Sequence, residues 1–230
     1  MRRSDLGLRI AFFVLFFVSS STLSVAAPTS VIRNGRINNA SLAIPSFDPC
    51  AGMNIGDTCT NGGLYAGTGF AGLGNYKYMT TPGNCSGFVN NFTEFTPTCT
   101  GTVDNLSYQY ANNSGTTAYG VNTGATSMTD GAGNTAILAV NYTDTDAARY
   151  CANMTYPAGG YTDWYLPSRD ELDLVLYAMY VAGEGNLRAS DYGSSTEFNV
   201  NEAYTQDIAN GNQFEDPKTT SYFIRCVRKY

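Results

Sequence analysis

The sequence predicts an α+β domain braced by disulfides, and three stretches carry that prediction. Residues 163–172, Asp-Trp-Tyr-Leu-Pro-Ser-Arg-Asp-Glu-Leu, pass from strand-forming Trp164, Tyr165 and Leu166 through Pro167 into a helix start. Residues 221–228 alternate, with Tyr222, Ile224 and Cys226 on one face and Phe223, Arg225 and Val227 on the other. Between Cys50 and Gly133, glycine, asparagine and threonine punctuate short aromatic runs, as short strands joined by long loops would require. Two helices inside such a β-rich chain make an α+β fold.

The first 27 residues read as a targeting segment. Arg2, Arg3 and Arg9 form a basic start, Ile10 to Val18 an apolar stretch too short to span a membrane, and Val25-Ala26-Ala27 a cleavage site. The mature chain is therefore expected to be secreted, periplasmic or on the cell surface after cleavage near Ala27, and not membrane-spanning. Residues 28–49, with Pro28, Pro45 and Pro49 and no sustained period, read as a linker or N-terminal arm. Residues 50–230 then form one domain.

Six cysteines, an even number in an exported chain, argue for disulfides. Sequence neighbours suggest Cys50–Cys59 and Cys85–Cys99, leaving Cys151 with Cys226. Without histidine, and with no paired C-x-x-C, a zinc site is not expected; nor is any other metal or cofactor. The formal net charge is −6, and the remainder after residue 27 is more acidic still because three arginines leave with one aspartate. Nucleic acid and anionic membranes are poor partners for such a chain.

Further along, Ala136-Ile-Leu-Ala-Val140 is a short apolar strand candidate. Thr143 and Asp144 can cap a helix carrying Ala147, Ala148, Cys151 and Met154 on one side. Gly159-Gly160 breaks the chain before a central strand at Asp163, where Trp164, the only tryptophan, is read as a packing anchor. Ser168 and Glu171 have the spacing of a capping box, and Leu172, Val175, Leu176 and Met179 form one apolar stripe behind it. Gly183-Glu-Gly185 is a natural stop. Strands and loops are expected after Ala189.

Residues Tyr161-Thr-Asp-Trp-Tyr-Leu-Pro-Ser168, Glu171-Leu172, Ser194-Ser-Thr-Glu197, Gly211-Asn-Gln213 and Tyr222-Phe-Ile-Arg-Cys-Val-Arg228 resemble, in this order, the Lcl C-terminal domain family. Upstream, Asn134-Thr-Ala-Ile-Leu138 and Asp146-Ala-Ala-Arg-Tyr-Cys151 extend the likeness, which covers roughly residues 50–229. The resemblance implies a variant of the C-type-lectin-like fold with a ligand-binding surface built from C-terminal loops and no catalytic centre. It also supports the pairing of Cys151 with Cys226. Gly193 departs from the pattern, which commonly has an aromatic residue before Ser-Ser-Thr. The calcium-binding Glu-Pro-Asn, Gln-Pro-Asp and Trp-Asn-Asp signatures of sugar-binding lectins are absent from this sequence. Asp144 and Asp146 read as solvated helix-start carboxylates.

Domains of this family also occur as variable proteins of diversity-generating retroelements, where copying errors at adenines randomise asparagine-type codons. Phe198, Asn199, Val200, Asn201, Tyr204, Thr205, Asp207, Phe214, Asp216, Thr219, Thr220 and Phe223 are all reachable by such changes and form the expected ligand-binding set. Gln206, Gly211, Gln213, Lys218 and Tyr222 alternate with them as framework, while Glu202 and Glu215 are not reachable. An ordinary lectin-like loop region is the alternative. Tyr and Phe supply stiff contact area, and Asn, Ser and Thr supply adaptable hydrogen bonds. Phe198 and Phe214 are open to two readings, binding surface or core filler, whereas Phe223 is better placed for exposure. The expected partner is a macromolecular surface ligand, protein or glycan. Two other classes compete: a structural surface or fibre protein, and a glycan hydrolase using Asp170, Glu171 or Asp173. These carboxylates suit a helix N-terminus without any chemistry, so no enzyme is expected.

Overall fold

A computed structural model describes residues 48–69, 73–86 and 94–230. The expected targeting segment, and the expected arm as far as residue 47, lie outside the described residues. The domain described here lies in the compact unit that ends at Tyr230.

Its elements are β1 (Leu64–Thr68), β2 (Lys77–Thr80), β3 (Cys85–Ser86), β4 (Thr98–Cys99), β5 (Ser107–Gln109), α1 (Gly131–Asn141) and α2 (Asp146–Ala152). A continuous helical run follows: α3 (Arg169–Glu171), a π-helical stretch (Leu172–Tyr177) and α4 (Ala178–Val181). Five strands end the chain: β6 (Asp191–Glu197), β7 (Glu202–Asp207), β8 (Gln213–Pro217), β9 (Ser221–Phe223) and β10 (Val227–Lys229). They form a three-stranded sheet ordered β1-β2-β10, a small β3-β4 ribbon, and a five-stranded sheet ordered β5-β9-β6-β7-β8. Helices and strands together make the domain α+β.

All three disulfides pair as sequence neighbourhood suggested: Cys50–Cys59, Cys85–Cys99 and Cys151–Cys226. The last joins α2 to the segment just before β10. Trp164 is buried as an anchor, its Nε1 donating to Tyr156 O at 3.0 Å and its ring meeting Tyr156 edge-on. The capping box also forms: Glu171 Oε2 accepts from Ser168 N at 2.9 Å. Gly131 N donates to the same oxygen at 3.1 Å, and a Cβ on Gly131 would lie 2.5 Å from Ser168 N. Only glycine lets α1 approach the neighbouring helix start so closely. Leu172, Val175, Leu176 and Met179 all face the core behind that cap.

Four expectations need correction. Ala136–Val140 is not a strand but the second half of α1, with Leu138 buried and Val140 exposed. A run of five apolar residues does not reveal its period, and the helix shows only once Asn134 and Thr135 are included in its buried side. Among the described residues there are consequently three α-helical runs rather than two. The central strand at Asp163 reduces to a single bridge between Tyr165 and Val227. Residues 221–228 are two strands in different sheets, β9 and β10, divided by Ile224, Arg225 and Cys226.

The division has a physical cause. Arg225 turns into the interior, where Nη2 donates to Asp104 Oδ2 at 2.8 Å and to Gly185 O at 2.8 Å, and Nη1 to Thr81 O at 2.7 Å. Asp104 further accepts from Tyr192 OH at 2.6 Å and Asn84 N at 3.1 Å. A buried guanidinium and carboxylate with their remaining positions filled hold four distant segments at the junction of the two sheets.

Candidate ligand-recognition surface

The β6–β7 turn, residues 198–201, is held by its own short polar side chain. Asn199 Oδ1 accepts from Asn201 N at 2.8 Å and Glu202 N at 2.9 Å, and Asn199 Nδ2 donates to Glu202 Oε2 at 2.6 Å. Such local bonding by asparagine is what favours a turn here. Two outside contacts fix the turn further: Gly120 N donates to Val200 O at 2.8 Å, and Lys218 N to Asn201 O at 2.9 Å. The turn is held by these bonds, yet Phe198 and Val200 stay 47% and 40% exposed. Phe198 stands edge-on to Tyr204 at 5.4 Å, and the Arg169 guanidinium lies over the Tyr204 ring at 5.3 Å.

A buried charge network underlies this turn. Lys218 Nζ donates to Glu197 Oε2 and Ala118 O, both at 2.9 Å, and to Val121 O at 3.3 Å. Glu197 Oε2 also accepts from Thr123 N at 2.9 Å and Thr123 Oγ1 at 2.6 Å. Burial pushes the Lys218 ammonium below its usual pKa, against the pull of Glu197 beside it. From the other side Asp144 accepts from Ala118 N at 2.8 Å, Thr117 Oγ1 at 2.7 Å and Asn113 N at 3.2 Å. The loop from Asn113 to Thr123 is thus gripped by ionised groups at both ends. This corrects the reading of Asp144 as a solvated carboxylate: it is fully buried and works as a loop staple. Asp146 is half-buried, with Oδ2 accepting from Asn112 Nδ2 at 2.8 Å.

The other side of the terminal hairpin is acidic. In register, Asp191 faces Asp207 across β6 and β7, Gly193 faces Thr205, and Thr205 faces Phe214 across β7 and β8. Strand alternation adds Asp216 to this face, and the Thr205 hydroxyl donates to its carboxylate. Burial, then the charges of Asp207 and Asp216, raise the Asp191 pKa above the usual carboxylate value. Gly193 leaves a small hollow between Tyr108, Tyr222, Thr205 and Asp216. A Cβ there would meet nothing nearer than Tyr222 Cβ at 3.6 Å, so the backbone does not demand glycine and its departure from the family pattern simply opens the face.

Two like charges directly opposite in a sheet destabilise it. Asp207→Asn should therefore raise stability by about 0.2–1 kcal/mol at neutral pH. Because the folded state holds the Asp191 proton to higher pH than the unfolded chain, the wild type loses stability as pH rises through that raised pKa. The gain from Asp207→Asn should shrink on acidification below it, as urea titrations at several pH values would show.

The expected ligand-binding residues fall into separate groups. Phe198, Asn199, Val200 and Asn201 are exposed at the turn, and Thr219 and Thr220 follow Lys218 beside it. Asp207, Phe214 and Asp216 line the acidic face, where Phe214 is 44% exposed, so neither Phe198 nor Phe214 is core filler. Tyr204 lies across the hairpin from that face, half-buried under Arg169. Thr205 is a correction: it is buried between strands with its hydroxyl committed to Asp216, and has no surface to offer. Phe223 is a second correction. It lies half-buried against Tyr192 at 5.9 Å with Arg188 stacked on it at 5.0 Å, because β9 pairs beside β6 and turns Tyr222 to the acidic side. Asp191 belongs to the face and escaped the sequence reading; its two-residue spacing from Gly193 was the available signal. The helix carboxylates have structural partners: Glu171 closes the cap, Asp170 pairs with Arg169 at 2.7 Å, and Asp173 accepts from Gln206 Nε2 at 2.9 Å.

Among the described residues no group of three or more Asp, Glu, Cys or His side chains is placed to hold a metal ion, and no helix is long and apolar enough to cross a membrane. No curated protein matches the chain detectably. The family model of the Lcl C-terminal domain matches residues 98–228, more than half of the sequence, starting before the first quoted motif at Asn134 but well after residue 50, where the likeness was expected to begin, and ending just after Arg225 and Cys226. The chain belongs to the Lcl C-terminal domain family.

Proposed function

We propose that this chain is an exported ligand-binding module, a C-type-lectin-like variant without a catalytic centre. Its terminal turn and hairpin capture a macromolecular surface ligand, protein or glycan. The observation that carries the reading is the exposure of Phe198 and Val200 on a hydrogen-bonded turn and of Phe214 on a strand paired with β7. A rigid apolar anchor loses little entropy on binding, and large rigid side chains dominate interface energetics. Three disulfides support an oxidising, exported setting.

The pattern of exposure favours a diversified surface. Phe198, Asn199, Val200, Asn201, Phe214 and Thr220, all reachable by adenine mutation, are exposed and the unreachable Gln206 and Lys218 are buried, while the reachable Thr205 is buried and the unreachable Glu215 exposed against this trend. Glu202 and Glu215 belong to the fixed scaffold on this reading. A near-identical repeat elsewhere in the genome, differing from the gene at adenines, is the expected finding; its absence from the complete genome removes the diversified form.

The binding test is a surface-protein and glycan array probed with residues 28–230 and with the Phe198→Ala/Val200→Ala/Phe214→Ala variant. We expect capture to fall by about thirtyfold or more. Exposed side chains contribute little to folding, so stability should change by no more than roughly 0.5 kcal/mol per site. Unchanged capture, or loss only through unfolding, sinks the reading.

A further inference from the structure

The helical run after Ser168 is apolar on two sides. Leu172, Val175, Leu176 and Met179 face the core, whereas Leu174 and Tyr177 are half-buried on another side and Val181 is 67% exposed. A surface helix ordinarily carries one apolar stripe backed by polar residues. The second stripe borders a groove of about 460 Å³, lined from the β1 side by Ile55 and Ala66. That volume lies within the range of small-ligand sites. Both walls are irregular. The helical wall includes the π-helical stretch, and β1 is bulged between Tyr65 and Gly67 where it pairs with β2. Single π turns and bulges each gather beside functional sites, and here both border the same groove.

Asp173 is the one charged side chain among the lining residues. Its carboxylate is exposed but oriented from behind: Oδ1 accepts from Gln206 Nε2 at 2.9 Å, and the same nitrogen donates to Gly211 O at 3.1 Å. Gln206 is wholly buried, and its Oε1 has no partner among the described residues. A buried amide with an unmet acceptor costs stability, and what this one secures is the direction of a surface carboxylate. Asp173 Oδ2 meets no donor, and no lysine or arginine pairs with the group, among the described residues. Tyr177 is fixed as well, its ring lying so close to Gly211 that a Cβ there would fall 2.7 Å from Tyr177 Cζ.

We propose that this groove binds a small hydrophobic amine, whose ammonium pairs with Asp173 while its apolar body lies between Ile55 and Tyr177. The groove shares no residue with the recognition surface proposed above. Its charge selects the class of occupant. An anion is repelled by Asp173, and a neutral apolar molecule would cover the carboxylate without answering it. A metal ion needs more oxygen ligands than one carboxylate supplies. An ammonium needs a single counter-ion, and an aromatic ring such as that of Tyr177 is a favourable neighbour for it.

The test uses residues 28–230 and three probes that share an indole ring: tryptamine, tryptophol and indole-3-propionate. Calorimetry should show tryptamine bound with a dissociation constant of about 1 mM or tighter. Tryptophol should bind roughly threefold more weakly or worse, and indole-3-propionate not at all. Backbone NMR shifts caused by tryptamine should centre on Thr68 and Ala178. Asp173→Asn keeps an oxygen that can accept from Gln206, and should bring tryptamine down to the level of tryptophol. Ala178→Trp fills the groove and should abolish binding of both while the chain stays folded. No binding of tryptamine, equal affinity for tryptamine and tryptophol, shifts centred elsewhere, or an unchanged affinity in Asp173→Asn overturns the proposal. Tryptamine binding that survives in folded Ala178→Trp overturns it too; if that variant misfolds, the shift map and Asp173→Asn decide.

Discussion

Lys218→Met should lower the unfolding free energy by about 3–5 kcal/mol, the range for stripping one member from a buried ion pair. The deletion leaves Glu197 in the interior without its cation and frees the carbonyls of Ala118 and Val121. Methionine matches the aliphatic stem of lysine, so the loss reports the missing charge rather than a cavity. Adding Glu197→Leu should recover part of the loss, since replacing both charges is far cheaper than orphaning one. Recovery stays incomplete because Thr123 N and Oγ1 lose their acceptor. Urea titration of the wild type and both variants checks this; a neutral Lys218→Met would show that the pair is not sealed from solvent.

The second large effect concerns Cys151–Cys226, whose partners are 75 residues apart. Loop-closure entropy assigns such a link about 4.5 kcal/mol, against roughly 2.5–3 kcal/mol for the shorter loops of the other two disulfides. Cys151→Ala/Cys226→Ala should therefore cost more than either other double replacement. The bond also anchors α2 to the chain just beyond the Arg225 junction, so its loss should loosen both sheets together. Melting temperature lowered by on the order of 10 °C is the expected readout. A smaller shift than for Cys50→Ala/Cys59→Ala would contradict the entropic ranking.

Features decided within a few residues were legible in the sequence. The Ser168–Glu171 cap, the stripe behind it and the two short disulfides follow from local spacing and formed as expected. Helix α1 was not legible, since its apolar run has no readable period and its buried polar face bonds to remote groups, Thr135 to Leu166 and Asn134 to Thr196. Lys218 and Asp144 were missed for a related reason. Lysine and aspartate are ordinarily exposed, and only partners 100 and 26 residues away, such as Ala118, make their burial tolerable. The residues of the proposed surface were legible as a composition but not as a geometry. Alternation assigns side chains to faces, but it could not say which face of β8 would be covered, nor foresee that Arg225 would break the last strand and turn Phe223 inward.

The ammonium of Lys218 has one more implication. The loop it grips sits against the display turn, through Gly120 and Val200, and could in principle have been organised by a dissolved ion. Here the cation is part of the polypeptide itself. Dilution cannot wash it out and a chelator cannot withdraw it, so the turn keeps its shape whatever ions surround it.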